Sequence, residues 1–134
     1  MAVSLHVYVD VEDLEAGIRF YADAVGLTLR RRLAPNWVEL EGAAVPVFLL
    51  QRKLDHEDTG AQMNRTYERH WTPVHLDFLT ADLDAALARA EAAGARRDRE
   101  PITAPWGRMA SMSDPFGNGF DLIELAGGGY EMLT

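Results

Sequence analysis

The chain repeats one order of predicted elements, and this repeat strongly limits the folds open to it. The first half predicts a strand, a helix and three strands at residues 5–11, 13–25, 27–34, 36–42 and 45–53. The second half predicts the same order at residues 74–79, 82–94, 95–101, 107–113 and 119–126. The strands are assigned from alternating apolar and polar side chains, and the helices from apolar side chains at helical spacing. Each half therefore predicts one β-α-β-β-β unit.

Pairs of like residues keep a constant spacing between the two halves. Four pairs are 69 residues apart: His6 and His75, Asp13 and Asp82, Leu14 and Leu83, and Trp37 and Trp106. The second half then inserts a turn with the sequence DPFGNG at residues 114–119. We therefore expect a single domain at 1–134, with module one at 1–53, a polar linker at 54–72 and module two at 73–126. We also expect a helical turn within the linker, near residues 62–69.

A module of this kind covers only one face of its sheet with a helix. Two modules can enclose a cleft with their uncovered faces, which gives an α+β fold. The alternation assigns Val7 and Leu76 to the helix side of their strands. His6 and His75 then point into the cleft, because successive side chains of a strand point to opposite faces.

His6 and His75 are candidate ligands of one metal ion. Glu124 interrupts an apolar run on the last predicted strand and can supply a carboxylate ligand. Two imidazoles and one carboxylate leave coordination positions open for a substrate on Fe(II), Mn(II), Zn(II) or Ni(II). The alternatives are hydrogen-bonded structural histidines and a carboxylate that only ends a sheet. Gln51 is a candidate fourth ligand at the position equivalent to Glu124, although an alignment shifted by one residue would place Leu50 there.

Composition excludes several other classes of protein. The formal net charge is −8, which argues against non-specific binding to nucleic acid and to anionic membranes. The chain contains no cysteine, so disulfides, thiolate nucleophiles and Cys-ligated zinc are excluded. The sequence has neither an apolar stretch of the roughly 20 residues that a membrane span needs nor a signal-peptide pattern. We therefore expect a cytoplasmic protein with a small-molecule substrate, in which the three tryptophans line a pocket or pack in the core.

Three segments resemble the vicinal oxygen chelate superfamily, which includes glyoxalases, bleomycin resistance proteins and extradiol dioxygenases. They are HVYVDVEDLEAGIRFYADAVGL, VHLDFLTADLDAALARAEAAGA and DPFGNGFDLIEL. The resemblance implies a glyoxalase-like incomplete barrel around a cleft, and it implies a homodimer. It also implies metal ligands on the first and last strands of each module, which are here His6, His75 and Glu124, with Gln51 at the remaining position.

The resemblance implies two alternative functions. In the first, one divalent metal ion chelates adjacent oxygens of a small-molecule substrate in lyase, isomerase or dioxygenase chemistry, and Glu124 is a ligand that also moves a proton. Bacterial glyoxalase I has a glutamate where this chain has Gln51 or Leu50, which argues against lactoylglutathione lyase activity. In the second, the chain is a non-catalytic small-molecule binding protein of the bleomycin-resistance type. The sequence leaves open the substrate, the metal, and whether the cleft lies within one chain or between two.

Overall fold

Each half of the chain folds into one open sheet and one α-helix. The computed structural model describes residues 3–53 and 66–134. The chain divides into two compact units, Met1–Glu68 and Arg69–Thr134. The elements in chain order are β1 (Val7–Val11), α1 (Leu14–Val25), β2 (Thr28–Ala34), β3 (Trp37–Glu41), β4 (Val47–Gln51), β5 (Leu76–Leu79), α2 (Leu83–Ala92), β6 (Arg96–Arg97), β7 (Ile102–Ala104), β8 (Gly107–Ser113), β9 (Gly119–Leu125) and a 3₁₀ helix (Gly129–Leu133). The predicted α+β class is confirmed, and the turn predicted near residues 62–69 lies largely outside the described residues.

The two sheets share one strand arrangement. The strand order is β1-β4-β3-β2 in the first unit and β5-β9-β8-β6 in the second, where β7 also pairs with β8. The first and last strands of each unit pair in parallel, and the other neighbours are antiparallel. Of the strand predicted at 95–101, only β6 (Arg96–Arg97) forms, and β7 begins after Pro101, which has no N–H to donate to a continuous ladder.

Helix α1 covers one face of the first sheet. Asp13 caps its first turn by accepting a hydrogen bond from a backbone N–H, and Gly26 ends it with φ of 80°. Gly17 lets the helix approach the sheet closely, since a Cβ there would lie 3.1 Å from Val11 and 3.2 Å from Leu49. Val11 and Leu49 therefore mark the helix side of this sheet.

Helix α2 covers the second sheet in the same way. Asp82 accepts a hydrogen bond from the Ala85 N–H, which confirms the predicted N-cap. Leu83 and Leu87 are buried, and the helix packs against β8 and β9. In the described part of the chain, no helix combines the length and the apolar character that crossing a bilayer would take.

The predicted turn at residues 114–119 joins β8 to β9. Asp114 is buried, and its Oδ1 accepts hydrogen bonds from the backbone N–H groups of Phe116 and Asn118 at 2.8 and 2.9 Å. Its Oδ2 accepts a third from the Asn118 side chain at 2.9 Å. These bonds hold the turn that sets the register of β9.

Candidate functional site

Strands β5 and β9 carry a polar patch on one face of the second sheet. They pair in parallel, with Asp77 opposite Asp121 and Leu79 opposite Ile123. Because alternate side chains of a strand share a face, these four lie on the side turned away from α2. His75 directly precedes β5 and lies on the same side as Asp77.

His75, Asp77 and Asp121 form a compact cluster. The His75 Nδ1 lies 3.1 Å from the Asp77 Oδ1 and 3.3 Å from the Asp121 Oδ2. Among residues 3–53 and 66–134, this is the group of three His or carboxylate side chains whose ligand atoms all lie within 4.8 Å of one another. One imidazole and two carboxylates are the donors that Mn, Fe and Zn accept, so the cluster fits a divalent metal ion.

The electrostatics of the cluster favour a proton or a cation. Burial raises the pKa of Asp121, and its hydrogen bond to Asp77 and the charge of Asp77 raise it further. Ser111 and His75 act in the opposite direction and lower this pKa. The two carboxylates repel each other when both are ionised, so a proton or a cation bound between them is favourable.

The same face forms the floor of a pocket of about 620 Å³ within the second unit. Trp71, Trp106 and Tyr130 supply its aromatic wall. Trp71 is 79% exposed and Tyr130 is 49% exposed, and the Tyr130 ring lies 5.7 Å from that of Trp106. The pocket thus combines flat apolar surfaces with a polar floor.

Two arginines lie at the edge of the pocket. Arg69 binds Asp98 through two nitrogens, at 3.2 Å from Nε and 2.9 Å from Nη2. Its guanidinium packs over Gly119, where a Cβ would lie 2.5 Å from Nη2. Arg99 Nη2 donates a hydrogen bond to the Ser111 hydroxyl at 3.5 Å.

The first unit carries aromatic rings at the positions equivalent to the cluster. His6 and Tyr8 precede His75 and Asp77 by 69 residues, and Phe48 precedes Asp121 by 73 residues, which includes the inserted turn. Tyr8 pairs with Phe48 in the register, and their rings stack 4.7 Å apart with an interplanar angle of 9°. The His6 ring lies 4.9 Å from Phe48. The same three positions therefore hold a cluster of three rings in one unit and two carboxylates with an imidazole in the other.

Gln51 and Glu124 occupy equivalent positions and make equivalent hydrogen bonds. Gln51 Oε1 accepts a hydrogen bond from the Leu14 N–H at 2.8 Å, and Glu124 Oε1 accepts one from the Leu83 N–H at 3.0 Å. The predicted equivalence of the two residues is confirmed, and each acts at the N-terminus of its unit's helix.

The structure brings only one member of the predicted ligand set into the cluster. Glu124 lies three residues after Asp121, so its side chain is on the opposite face of β9, towards α2. His6 lies in the first unit, directly before β1. The assignment of His6, His75 and Glu124 to one metal ion stays a prediction.

The shared spacing of the tryptophans does not reflect equivalent positions. Trp37 pairs with Leu50 on β4. The equivalent of Leu50 is Ile123, which pairs with Met109. Met109 is therefore the counterpart of Trp37, and Trp106 lies just before β8.

Sequence reasoning missed three residues of the site. Alternation along the strand could have identified Asp77 and Asp121, because both share a face with residues already placed opposite the helix. Tyr130 follows the glycines at 127–129 in a segment without periodicity, and no signal marked it as part of a pocket wall.

The two open sheets, each with a single helix, and the pocket on the uncovered face define the glyoxalase, bleomycin resistance and dioxygenase class of proteins. Residues 6–123 match the glyoxalase-like domain family, and the chain belongs to that family.

Three known proteins are similar to this chain. A glyoxalase/bleomycin resistance protein/dioxygenase from Nocardioides is 25% identical, with a TM-score of 0.69 over 96% of this chain and 87% of that one. TnmS3, an antibiotic binding protein from Streptomyces sp. CB03234, is 27% identical, with a TM-score of 0.67 over 94% of this chain and 98% of its own. The anthracycline biosynthesis protein DnrV from Streptomyces peucetius is 32% identical over 112 residues, which are 81% of this chain. The chain spans only 36% of the length of DnrV.

Proposed function

We propose that the protein binds a small, flat aromatic molecule in the pocket of its second unit. The observation that carries this proposal is the aromatic wall, in which Trp71 leaves 79% of its surface exposed in the same pocket as Trp106 and Tyr130. Concave sites lined by aromatic side chains with a few polar groups are typical of ligand pockets. The pocket volume of about 620 Å³ falls in the roughly 300–1,000 Å³ range of sites for drug-sized molecules.

The similar proteins support the same proposal. TnmS3 is an antibiotic binding protein, and DnrV takes part in anthracycline biosynthesis. Both names point to organic molecules larger than a simple metabolite. We extend this class of ligand to the present chain, with the aromatic wall stacking on the ring system and the polar floor orienting it.

Quenching of tryptophan fluorescence tests the proposal. Acridone, a neutral tricyclic compound, should quench the fluorescence saturably after metal ions have been removed with EDTA. Trp71→Ala should weaken its binding by about tenfold, since stacking on one aromatic side chain contributes ~1–3 kcal/mol. Leu133→Ala is the matched control, because Leu133 is also exposed but does not line the pocket. Absence of saturable quenching by acridone and by its cationic analogue 9-aminoacridine would contradict the proposal.

The cluster of His75, Asp77 and Asp121 favours a second candidate function, that of a divalent-metal-dependent enzyme. The ion would be Fe, Mn, Zn or Ni, and when bound it would supply a Lewis acid for adjacent oxygens of the substrate. His75 would donate one imidazole nitrogen, and the two carboxylates would offset the charge of the ion. Lyase, isomerase and dioxygenase chemistry are all open to such a site.

Metal binding by matched variants distinguishes the two ligand sets. Calorimetric titration with Mn²⁺ or Zn²⁺ should give at least about tenfold weaker binding for His75→Ala, as expected for loss of a ligand. If the cluster holds the ion, Asp121→Asn weakens binding and Glu124→Gln does not. The opposite result would favour the set His6, His75 and Glu124. Oxygen uptake with catechol after anaerobic loading with Fe(II) would assign dioxygenase chemistry.

A homodimer is part of the same proposal, and it rests on the family resemblance. Light scattering coupled to size-exclusion chromatography should give twice the chain mass of 14.9 kDa. A mass of one chain at all accessible concentrations would contradict it.

A further inference from the structure

We infer that the ligand of the pocket carries a protonated amine beside its aromatic ring system, and that the amine binds to Asp77 and Asp121 on the pocket side of the cluster that they form with His75. This inference rests on the proposed function and names the chemical class of its ligand.

Two carboxylates lie in the pocket floor, and the basic group paired with them is the imidazole of His75. In the part of the chain that the structure describes, no arginine or lysine nitrogen comes within the 4.0 Å of an ion pair to either carboxylate. Arg69 binds Asp98 through two nitrogens, and Arg99 donates a hydrogen bond to the Ser111 hydroxyl. A ligand ammonium, unlike the imidazole of His75, carries a positive charge at every pH of interest and would donate hydrogen bonds to both carboxylates. Such charge-assisted bonds are the strong ones.

The first unit demonstrates that the fold does not require these carboxylates. At the equivalent pair of strand positions, Tyr8 and Phe48 stack their rings 4.7 Å apart. Aromatic pairs across two neighbouring strands stabilise a sheet, whereas like charges directly opposite each other destabilise it. The second unit has the less favourable pair of carboxylates in the floor of a pocket. Locally unfavourable residues of this kind are expected at functional sites.

The aromatic wall and the charged floor line one cavity, so one ligand can contact both. Trp71 is 79% exposed, and Asp121 is the more buried of the two carboxylates, with 15% of its side chain exposed. A ring system on the wall also partly covers the amine from water. An ion pair shielded in this way is stronger than one at an open surface.

A pair of dyes with similar shape and different charge tests the inference. 9-Aminoacridine is a flat tricyclic cation at neutral pH, and acridone is its neutral counterpart. In EDTA-treated protein, the cation should bind about tenfold more tightly than acridone, a preference worth one charge-assisted contact. Added NaCl should weaken binding of the cation and leave acridone unaffected.

Charge-removing variants locate the amine. Asp77→Asn and Asp121→Asn should each reduce the affinity for 9-aminoacridine by about tenfold and change the affinity for acridone by less than about twofold. Asp84→Asn is the matched control, since it removes the same charge from α2 outside the pocket and should change neither affinity.

The outcomes separate this inference from the proposed function. Equal affinities for the two dyes, or equal losses for both dyes in Asp77→Asn, would overturn the amine and leave the aromatic pocket standing. Failure of both dyes to bind would overturn the amine together with the pocket.

Discussion

Asp77 and Asp121 are the residues at which the second unit departs most clearly from the first. Their carboxylates face each other on neighbouring strands, and His75 is the side chain that bridges them at 3.1 and 3.3 Å. Two ionised carboxylates in this position repel each other, while a proton or a bound cation between them relieves the repulsion. The folded protein therefore holds Asp121 in its protonated form more readily than the unfolded chain does.

We expect Asp121→Asn to stabilise the protein at neutral pH. The folded-state pKa of Asp121 is raised, mainly by burial and then by Asp77, so its contribution to stability is present at low pH and is lost as pH rises through that pKa. The gain of the variant over the wild type should be larger at about pH 7 than at about pH 3, where the carboxyl is largely protonated in both the folded and the unfolded chain. Urea unfolding at both pH values measures it.

Asp84 is the control for this prediction, because its pKa is shifted in the opposite direction to that of Asp121. The Arg108 guanidinium lowers its pKa through a hydrogen bond of 3.0 Å, so Asp84→Asn should lose stability at pH 7 and not at low pH. A loss of stability at pH 7 in Asp121→Asn as well would contradict the repulsion between Asp77 and Asp121.

We expect Gly107→Ala to destabilise the protein by about 2–4 kcal/mol, because strain and a steric clash combine there. Gly107 has φ of +148°, and a Cβ on it would lie 2.1 Å from the carbonyl oxygen of Glu124. Gly127→Ala is the control, since no atom lies within 4 Å of its Cβ position and it has no positive φ. Thermal unfolding compares the two, and similar melting temperatures would contradict the clash.

At the scale of elements, the last strand of each unit supplies a hydrogen-bond acceptor to the first residue of that unit's helix. The acceptor on that strand is an amide in Gln51 and a carboxylate in Glu124, and each binds the first N–H of the helix that covers its sheet. These bonds join the end of the sheet to the start of the helix. They satisfy one of the backbone donors that a helix N-terminus leaves without an internal partner.

We expect Glu124→Gln to retain most of the stability of α2 and Glu124→Ala to lose about 0.5–2 kcal/mol, the usual effect of removing a helix cap. The glutamine keeps an oxygen acceptor at the same place, as Gln51 does in the first unit, and loses only the attraction of a carboxylate to the helix dipole. Hydrogen exchange of the Leu83 amide measures the local effect. Equal losses in the two variants would contradict the role of Glu124 as an acceptor.

The sequence was informative about elements that local chemistry specifies. Asp13 and Asp82 marked the helix starts, because a carboxylate at the N-cap is a local signal that needs no tertiary contact. The break between β6 and β7 was missed, since a run of charged residues before Pro101 gives no alternation from which to read pairing.

The face of a strand residue can be predicted from the faces of its neighbours on the same strand, because successive side chains alternate. Glu124 shares parity with the buried Phe120 and Leu122, which is the pattern of the helix side, whereas Asp121 shares parity with Ile123. Glu124 was nevertheless predicted as a metal ligand, because it is a carboxylate within an otherwise apolar run.

At the scale of the whole molecule, the duplication was the most reliable signal in the sequence, and it predicted two units with equivalent strand orders. It could not predict what each unit does with its equivalent positions, because the two copies have diverged there. The contribution of Tyr130 was likewise out of reach, since it depends on where the chain returns after β9.

The ring cluster of Tyr8, Phe48 and His6 in the first unit gives experiments on the second unit an internal reference. Both units experience the same temperature, salt and denaturant because they belong to one polypeptide. An effect that depends on ligand chemistry should therefore change the second unit and leave the first unchanged. The repeated architecture thus gives the molecule a built-in control for measurements on its ligand site.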